Sequence, residues 1–187
     1  VLELSGYRMN YCGKISCEQA TQQKIDFLQP VKGTVLDTCS GLGYTAILLA
    51  RIPEVKKVFS VEFDANIIEL AKLNPFSKDL FENSKIKLIH ADIFSEIKKF
   101  PANYFDAIMH DAPTIKTAGL LYSNQFYFDL FNKLKSGGKL FHFTGSPGSR
   151  SKGIDVRDSI IKRLEKIGFR EIKKTDFVKG LTCIKPC

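Results

Sequence analysis

Long hydrophobic runs are missing from this 187-residue chain, although 44% of its residues are hydrophobic. No apolar run approaches the roughly 20 residues that a helix needs to cross a bilayer, and the first residues show no signal-peptide pattern. We therefore expect a soluble, cytoplasmic protein with no membrane partner. The length and the 15 phenylalanines suffice for one core, so residues 1–187 are expected to form a single domain, with 1–30 an N-terminal arm and helix.

Metal-binding cysteine patterns are also absent. The five cysteines include no Cys-x-x-Cys pair and no cysteine and histidine cluster with zinc-finger spacing, so no metal site is expected. Reduced structural thiols are the default for an intracellular protein. Cys39 lies within a glycine turn, where a small packing residue is favoured over a nucleophile. Internal repeats and long low-complexity segments are missing as well.

Acidic residues are scarce in the last third of the chain. Residues 133–187 carry fourteen lysines and arginines against five acids, whereas residues 1–132 are almost neutral, so the net charge of +8 is C-terminal. This asymmetry suggests RNA as a substrate, bound through the basic residues Arg150, Lys152, Arg157, Lys162 and Arg163. A lysine-rich solvated helix face is the alternative, and a small-molecule acceptor stays open.

A strand, a glycine turn and a helix follow one another in residues 35–46. The apolar run 34–36 ends in Asp37, passes Ser40, Gly41 and Gly43, and opens into the apolar run 46–50. Glycines let a ligand approach the backbone, and the amides at the helix start bind its polar groups. The Asp37 carboxylate would repel a pyrophosphate and attract an ammonium group. The turn therefore favours a cationic nucleoside such as S-adenosylmethionine.

The next two strands also end in acids. Glu62 lies 21 residues after Gly41, where a carboxylate binds the ribose hydroxyls of an adenosine cofactor. Asp92 follows the strand 86–90 and is expected to accept a hydrogen bond from the adenine amine, with Ile93 and Phe63 bracketing the ring. Asp64 and Asp92 are also expected to cap helices. For His90 a satisfied core position or a supporting role beside the site is favoured.

Asp111 follows the fourth strand, 104–110, at the same carboxyl edge of the sheet. Because ligands of open α/β sheets bind beyond this edge, Asp111 is expected beside the reacting end of the cofactor, where it would orient or deprotonate the acceptor. The alternative is that it caps a turn with Pro113. Asp106 begins the strand, far from that edge, and is interpreted as structural.

The order of these elements predicts an α/β fold. After the fourth strand we expect a helix over 122–134 and a strand over 139–144, and then a helix over 155–167 and an antiparallel strand pair over 169–174 and 181–185. A basic loop over 145–153 would either bind a phosphate or merely connect the strand to the helix. The N-terminal residues 1–17 suggest a hairpin or irregular arm, followed by a helix over 18–28.

Several motifs together resemble the S-adenosylmethionine-dependent methyltransferases of the Rossmann-like class, and more closely a family of predicted archaeal methyltransferases related to spermidine synthases. They are 37–46 (DTCSGLGYTA), 73–77 (LNPFS), 110–113 (HDAP), 118–123 (AGLLYS) and 140–148 (LFHFTGSPG).

This resemblance implies a three-layer αβα sandwich with a mostly parallel seven-stranded sheet and an antiparallel C-terminal strand. It also implies cofactor contacts at six positions: Asp37, Gly41, Gly43, Glu62, Asp92 and Asp111.

The leading hypothesis is methyl transfer from S-adenosylmethionine, with RNA modification as the outcome. Residues 111–114 (DAPT) depart from the motif of methyltransferases that act on exocyclic base nitrogens. The alternative is aminopropyl transfer from decarboxylated S-adenosylmethionine, although residues 114–123 contain none of the acids with which spermidine synthases bind a polyamine. A third hypothesis is an NAD-dependent oxidoreductase or a non-catalytic nucleotide-binding module, against which Asp37 argues.

Overall fold

A computed structural model describes residues 3–4, 7–8, 15–145 and 156–187 of the chain. Two short strands, β1 (Glu3–Leu4) and β2 (Tyr7–Arg8), pair in antiparallel fashion, as the predicted hairpin requires. Residues 1–2, 5–6 and 9–14 of that arm lie outside the described residues, as do residues 146–153 of the predicted basic loop, with Arg150 and Lys152. No helix in the described part of the chain is long and apolar enough to span a bilayer.

Seven strands form the central sheet, in the order β5-β4-β3-β6-β7-β9-β8. All neighbours pair in parallel as far as β7, and β9 is antiparallel to both β7 and β8. The fold prediction is therefore confirmed, including the antiparallel last strand. The strands are β3 (Gly33–Asp37), β4 (Val55–Glu62), β5 (Ile86–His90), β6 (Phe105–His110), β7 (Leu134–Phe143), β8 (Arg170–Thr175) and β9 (Gly180–Ile184).

Helices flank this sheet. They are α1 (Cys17–Leu28), α2 (Tyr44–Arg51), α3 (Ala65–Leu73), α4 (Lys78–Glu82), α5 (Ile93–Glu96), α6 (Asn124–Lys133) and α7 (Val156–Ile167), with short 3₁₀ turns at Pro75–Ser77, Ile97–Lys99 and Gly119–Tyr122. The Asp64 and Asp92 side chains accept hydrogen bonds from Asn66 N and Phe94 N, so both predicted caps are confirmed.

Two apolar clusters lie on opposite faces of the sheet, because successive residues of a strand point to opposite sides. Val35 packs in the cluster that contains Ile25 of α1 and Leu49 of α2. Its neighbour Leu36 packs in the cluster that contains Phe126 of α6. Burial of both faces explains why these strands are continuously apolar in the sequence.

Asp106 has the structural role that its position predicted. Its carboxylate accepts from Thr34 N at 2.7 Å and from Lys135 Nζ at 2.8 Å, and it lies so close to Gly33 that a Cβ atom there would approach it to 2.2 Å. The start of β6 is thereby tied to β3 and β7, at the end of the sheet opposite to the strand-end acids.

Two predictions differ from the structure. The helix predicted over 122–134 begins only after Ser123, whose Oγ accepts from Phe126 N, and β7 starts at Leu134. Leu134 is buried and pairs with Phe105. Packing in the sheet therefore ends the helix at Lys133, before the glycines at 137 and 138.

Cys17 is disulfide-bonded, which contradicts the prediction of reduced thiols there, whereas Cys39, Cys183 and Cys187 are free.

Candidate active site

Acidic residues converge at the carboxyl ends of three adjacent strands. Asp37 ends β3 and Glu62 ends β4, while Asp111 directly follows β6. β3 lies between β4 and β6, so the chain leaves it in one direction along the sheet and later returns on the other side. A ligand crevice is expected at such a switch point. The sequence prediction that these acids share one edge is in agreement with the topology.

The glycine turn is held in place by the strands around it. Ser40 N donates to Val61 O at 2.8 Å, and Gly41 N donates to Glu62 Oε2 at 2.7 Å. Gly43 has a φ of 82°, and a Cβ atom there would lie 2.7 Å from the Leu80 side chain. A Cβ atom on Gly41 would meet nothing within 4 Å, so the backbone is open to a ligand at that point.

Asp37 is a fully buried carboxylate with an incomplete set of hydrogen bonds. Its Oδ2 accepts from Ser60 Oγ at 2.7 Å, but Oδ1 has no partner among the described groups, and the same holds for the buried Ser40 Oγ. Burial raises the pKa of Asp37 to about 7, helped by the nearby Asp111 and Glu62 charges and opposed by hydrogen bonding from Ser60 and from the Cys39 backbone. Buried polar atoms normally have partners, so these residues fit a ligand that supplies a hydrogen-bond donor.

Glu62 joins the end of β4 to the glycine turn. Its Oε1 accepts from Phe63 N and Asp64 N, each at 3.0 Å, while Oε2 accepts from Gly41 N. Burial raises the pKa of Glu62, and these hydrogen bonds oppose the shift. A carboxylate oxygen can accept two hydrogen bonds, and Oε2 accepts one within the protein, from Gly41 N. It can therefore accept a second one from a ribose hydroxyl.

The residues predicted around adenine lie beside this acid. Phe63 directly follows Glu62 and is 72% exposed, Asp92 is exposed at the start of α5, and Ile93 is buried. An exposed aromatic ring and a buried aliphatic side chain that follow two neighbouring strands suit a purine. His90 is exposed rather than in the core, and its Nε2 lies 3.1 Å from Phe63 O, so it supports the Phe63 backbone.

Asp111 is paired with a lysine that sequence reasoning missed. Lys24 Nζ of α1 lies 2.5 Å from Asp111 Oδ2, and 4.5 Å from the centroid of the Phe143 ring. The side chains of Lys24 and Asp111 are 17% and 19% exposed. One signal was present in the sequence: Lys24 follows Thr21 by three residues and precedes Leu28 by four, so it shares the stripe that buries this helix.

The family assignment comes from residues 34–173, which match the spermine/spermidine synthase domain. This chain belongs to the spermine/spermidine synthase family. The match includes every strand-end acid of the site, whereas Lys24 precedes it. The predicted relation to spermidine synthases is confirmed.

Two relatives are similar to this chain in sequence, and one solved structure is similar to it in fold. An uncharacterized protein of Methanocaldococcus jannaschii is 40% identical over 186 residues, covering 99% of this chain and 64% of that protein. A polyamine aminopropyltransferase of Prochlorococcus marinus is 30% identical over 138 residues, covering 72% and 48%. A spermidine synthase in complex with the transition-state analogue AdoDATO has a TM-score of 0.74 at 20% identity, covering 90% and 60%. The chain thus spans less than two thirds of each.

A buried pair of histidines supports the acids of this spermine/spermidine synthase family member. His110 precedes Asp111 and contacts Thr38 Oγ1 through Nδ1 at 2.8 Å, next to Asp37. The His142 ring lies 4.5 Å away and its Nε2 contacts Tyr127 Oη at 2.9 Å. Burial lowers the pKa of His110 to about 4, so the ring is neutral at neutral pH. The His110 side chain thus links the residue that precedes Asp111 to the residue that follows Asp37. Tyr122 of the 3₁₀ turn Gly119–Tyr122 and Tyr127 of α6 are buried in this layer.

The C-terminal cations are engaged largely within the protein. Arg157 pairs with Asp176, Arg163 Nη1 donates to Tyr122 O at 2.5 Å, and Lys174 pairs with Asp158. Lys162 is exposed. RNA binding through this region stays a prediction. The contacts show that Arg157, Arg163 and Lys174 also bind groups within the protein. No cluster of metal-binding side chains occurs within the described ranges.

Proposed function

We propose that this chain transfers an aminopropyl group from decarboxylated S-adenosylmethionine to an amine. One observation carries the proposal. Asp111 already binds an ammonium group, which is that of Lys24, and this group also lies against the Phe143 ring. A carboxylate and an aromatic face are the groups that recognise a primary ammonium. Membership of the spermine/spermidine synthase family supports aminopropyl transfer over the methyl transfer that the sequence motifs favoured.

The donor half of the site is assigned to the strand ends β3 to β5. The unpaired Asp37 Oδ1 would accept from the donor's ammonium, Glu62 would bind its ribose, and Phe63, Asp92 and Ile93 would hold its adenine. The glycines at 41 and 43 would let the nucleoside approach the backbone. The sulfonium supplies the chemistry, because it leaves as a neutral thioether when its methylene carbon is attacked.

On the acceptor side, Asp111 is the catalytic residue of this proposal. Its carboxylate would take a proton from the acceptor ammonium, and the freed nitrogen lone pair would form the new N–C bond as the S–C bond breaks. The proton stays on Asp111 and the electron pair of the broken bond stays on sulfur. Positioning of the two reactants would supply most of the acceleration.

Methyl transfer from S-adenosylmethionine is the second candidate, favoured by one observation. Residues 112–123 contain no acid that would bind the second ammonium of a diamine. Both donors carry an ammonium for Asp37, so this residue does not separate them.

The decisive experiment incubates the chain with each donor and a mixture of amines, and with RNA as a separate arm. Mass spectrometry distinguishes aminopropylated from methylated products. Aminopropylated amine supports the proposal, whereas methylated amine or methylated RNA with S-adenosylmethionine alone would replace it by the second candidate. Calorimetric affinities for the two donors give the same comparison without turnover.

A further inference from the structure

Helix α1 presents Lys24 to Asp111 but does not depend on this ion pair for its position. A capping box between Ser16 and Gln19 fixes its start. Its residues Thr21, Ile25 and Leu28 are buried, and Ile25 and Leu28 pack in the apolar core. The Lys24 ammonium is borne by a flexible four-carbon stem. It can therefore leave Asp111 while the helix stays in place.

The charges on the acceptor side are unusual for a site that would take a polyamine. Asp111 is the acid that follows β6, and the next eleven residues add Lys116 and no acid. With Lys24 beside Asp111, the carboxylate is already neutralised by a cation. An acceptor ammonium that binds Asp111 must displace Lys24, whose charge stays near the acceptor because α1 remains in place.

We propose that Lys24 is a specificity-determining residue that competes for the ammonium position on Asp111 and disfavours diamine acceptors. This inference rests on the proposed function, since it concerns the acceptor half of the same site. A second ammonium on the acceptor meets the displaced lysine and is repelled, whereas a neutral end is tolerated and an anionic end pairs with it. Repulsion of a wrong partner is an effective source of specificity. The acceptor class is therefore a primary amine whose other end is uncharged or carries an anionic group.

A series of three amines of equal chain length tests this inference. Butylamine, 1,4-diaminobutane and 4-aminobutanoate have one ammonium group in common and end in a methyl group, a second ammonium and a carboxylate. Their affinities are measured by calorimetry without donor, for the wild-type chain and for Lys24→Met, which retains an apolar stem of similar length. Lys24→Arg keeps the charge, and Lys32→Met removes an exposed lysine elsewhere as the matched control.

The wild-type chain is expected to bind 4-aminobutanoate and butylamine more tightly than the diamine. Lys24→Met should bind the diamine at least tenfold more tightly than wild type does and lose the preference for 4-aminobutanoate, while Lys24→Arg and Lys32→Met keep the wild-type order. Circular dichroism and thermal unfolding verify that each variant is folded.

Three results would overturn the inference: unchanged diamine affinity in Lys24→Met, a wild-type preference for the diamine, or no amine binding by any folded protein. Because no donor and no turnover enter this measurement, it stands apart from the transfer assay. Aminopropyl transfer in the separate assay without amine discrimination in this one would refute the role of Lys24 and leave the proposed function intact. Amine discrimination without transfer would do the reverse.

Discussion

The pKa of Asp37 predicts that the affinity for a cationic donor depends on pH. In the unliganded protein, burial raises this pKa from 3.8 to about 7. A protonated Asp37 has no charge with which to bind an ammonium, so binding requires that the proton be released first. Affinity should therefore rise as pH increases toward 7 and level off above it.

The magnitude follows from the population of the ionised form. At roughly one pH unit below the pKa only about one molecule in eleven has an ionised Asp37, and at one unit above about ten in eleven do. Affinity is thus expected to change about tenfold between roughly pH 6 and pH 8, equivalent to ~1.4 kcal/mol. The primary ammonium of decarboxylated S-adenosylmethionine resembles that of lysine and stays charged over this range.

Calorimetry across this pH range measures the effect, and a matched ligand isolates it. The neutral thioether 5′-methylthioadenosine has the same nucleoside without the ammonium, so its affinity should stay nearly constant. In Asp37→Asn the slope for the cationic donor should vanish together with most of the affinity, while the hydrogen bond from Ser60 can be retained by the amide oxygen. A flat profile for the wild-type chain, or an unchanged slope in the variant, would refute the assignment of Asp37 to the donor ammonium.

Three further predictions concern stability and turnover. Without ligand, the folded chain keeps a proton on Asp37 between its unfolded value of 3.8 and about 7, so stability should fall as pH rises through this range, and denaturant titrations of Asp37→Asn should lack this loss. Asp111→Asn should reduce single-turnover rates by about 10²–10⁴-fold in stopped-flow assays while donor affinity is kept, and a lost donor affinity would contradict its catalytic role. Gly43→Ala, which meets Leu80 at a positive φ, should cost ~1–3 kcal/mol in thermal unfolding; Gly119→Ala, which meets nothing, is the control.

The positions of the residues in the proposed donor half of the site could be predicted from sequence because their signals are local. The turn from Asp37 to Gly43 is one continuous stretch, and Asp92 caps the helix that begins at the next residue. Parallel strands add the remaining information, since their carboxyl ends lie at one edge whatever the loops between them do. Strand β5 accordingly begins and ends at the predicted residues, 86–90, and helix α3 begins directly after the predicted cap, Asp64.

The acceptor half could not be predicted in the same way, because its partners are distant in sequence. Lys24 and Asp111 are 87 residues apart, and Thr38 and His110 are 72 apart. Only the packing of α1 beside β7 brings the lysine to the edge of the sheet. A lysine on the buried stripe of a helix indicates an anionic partner, but nothing in the local pattern identifies which one.

This division has a consequence for how activity should be inferred within the spermine/spermidine synthase family. The matched range, 34–173, contains Asp37, Glu62, Asp92 and Asp111 but excludes Lys24. Family membership therefore supports the proposed donor class, whereas the proposed selection of the acceptor by Lys24 involves a helix outside the match. Two chains with identical strand-end acids would accept different amines if the residue at the position of Lys24 differed in charge, since a single nearby cation changes the affinity for a second ammonium. Exchanging that one side chain is thus the most economical way to separate the donor specificity of the fold from the acceptor specificity of this protein.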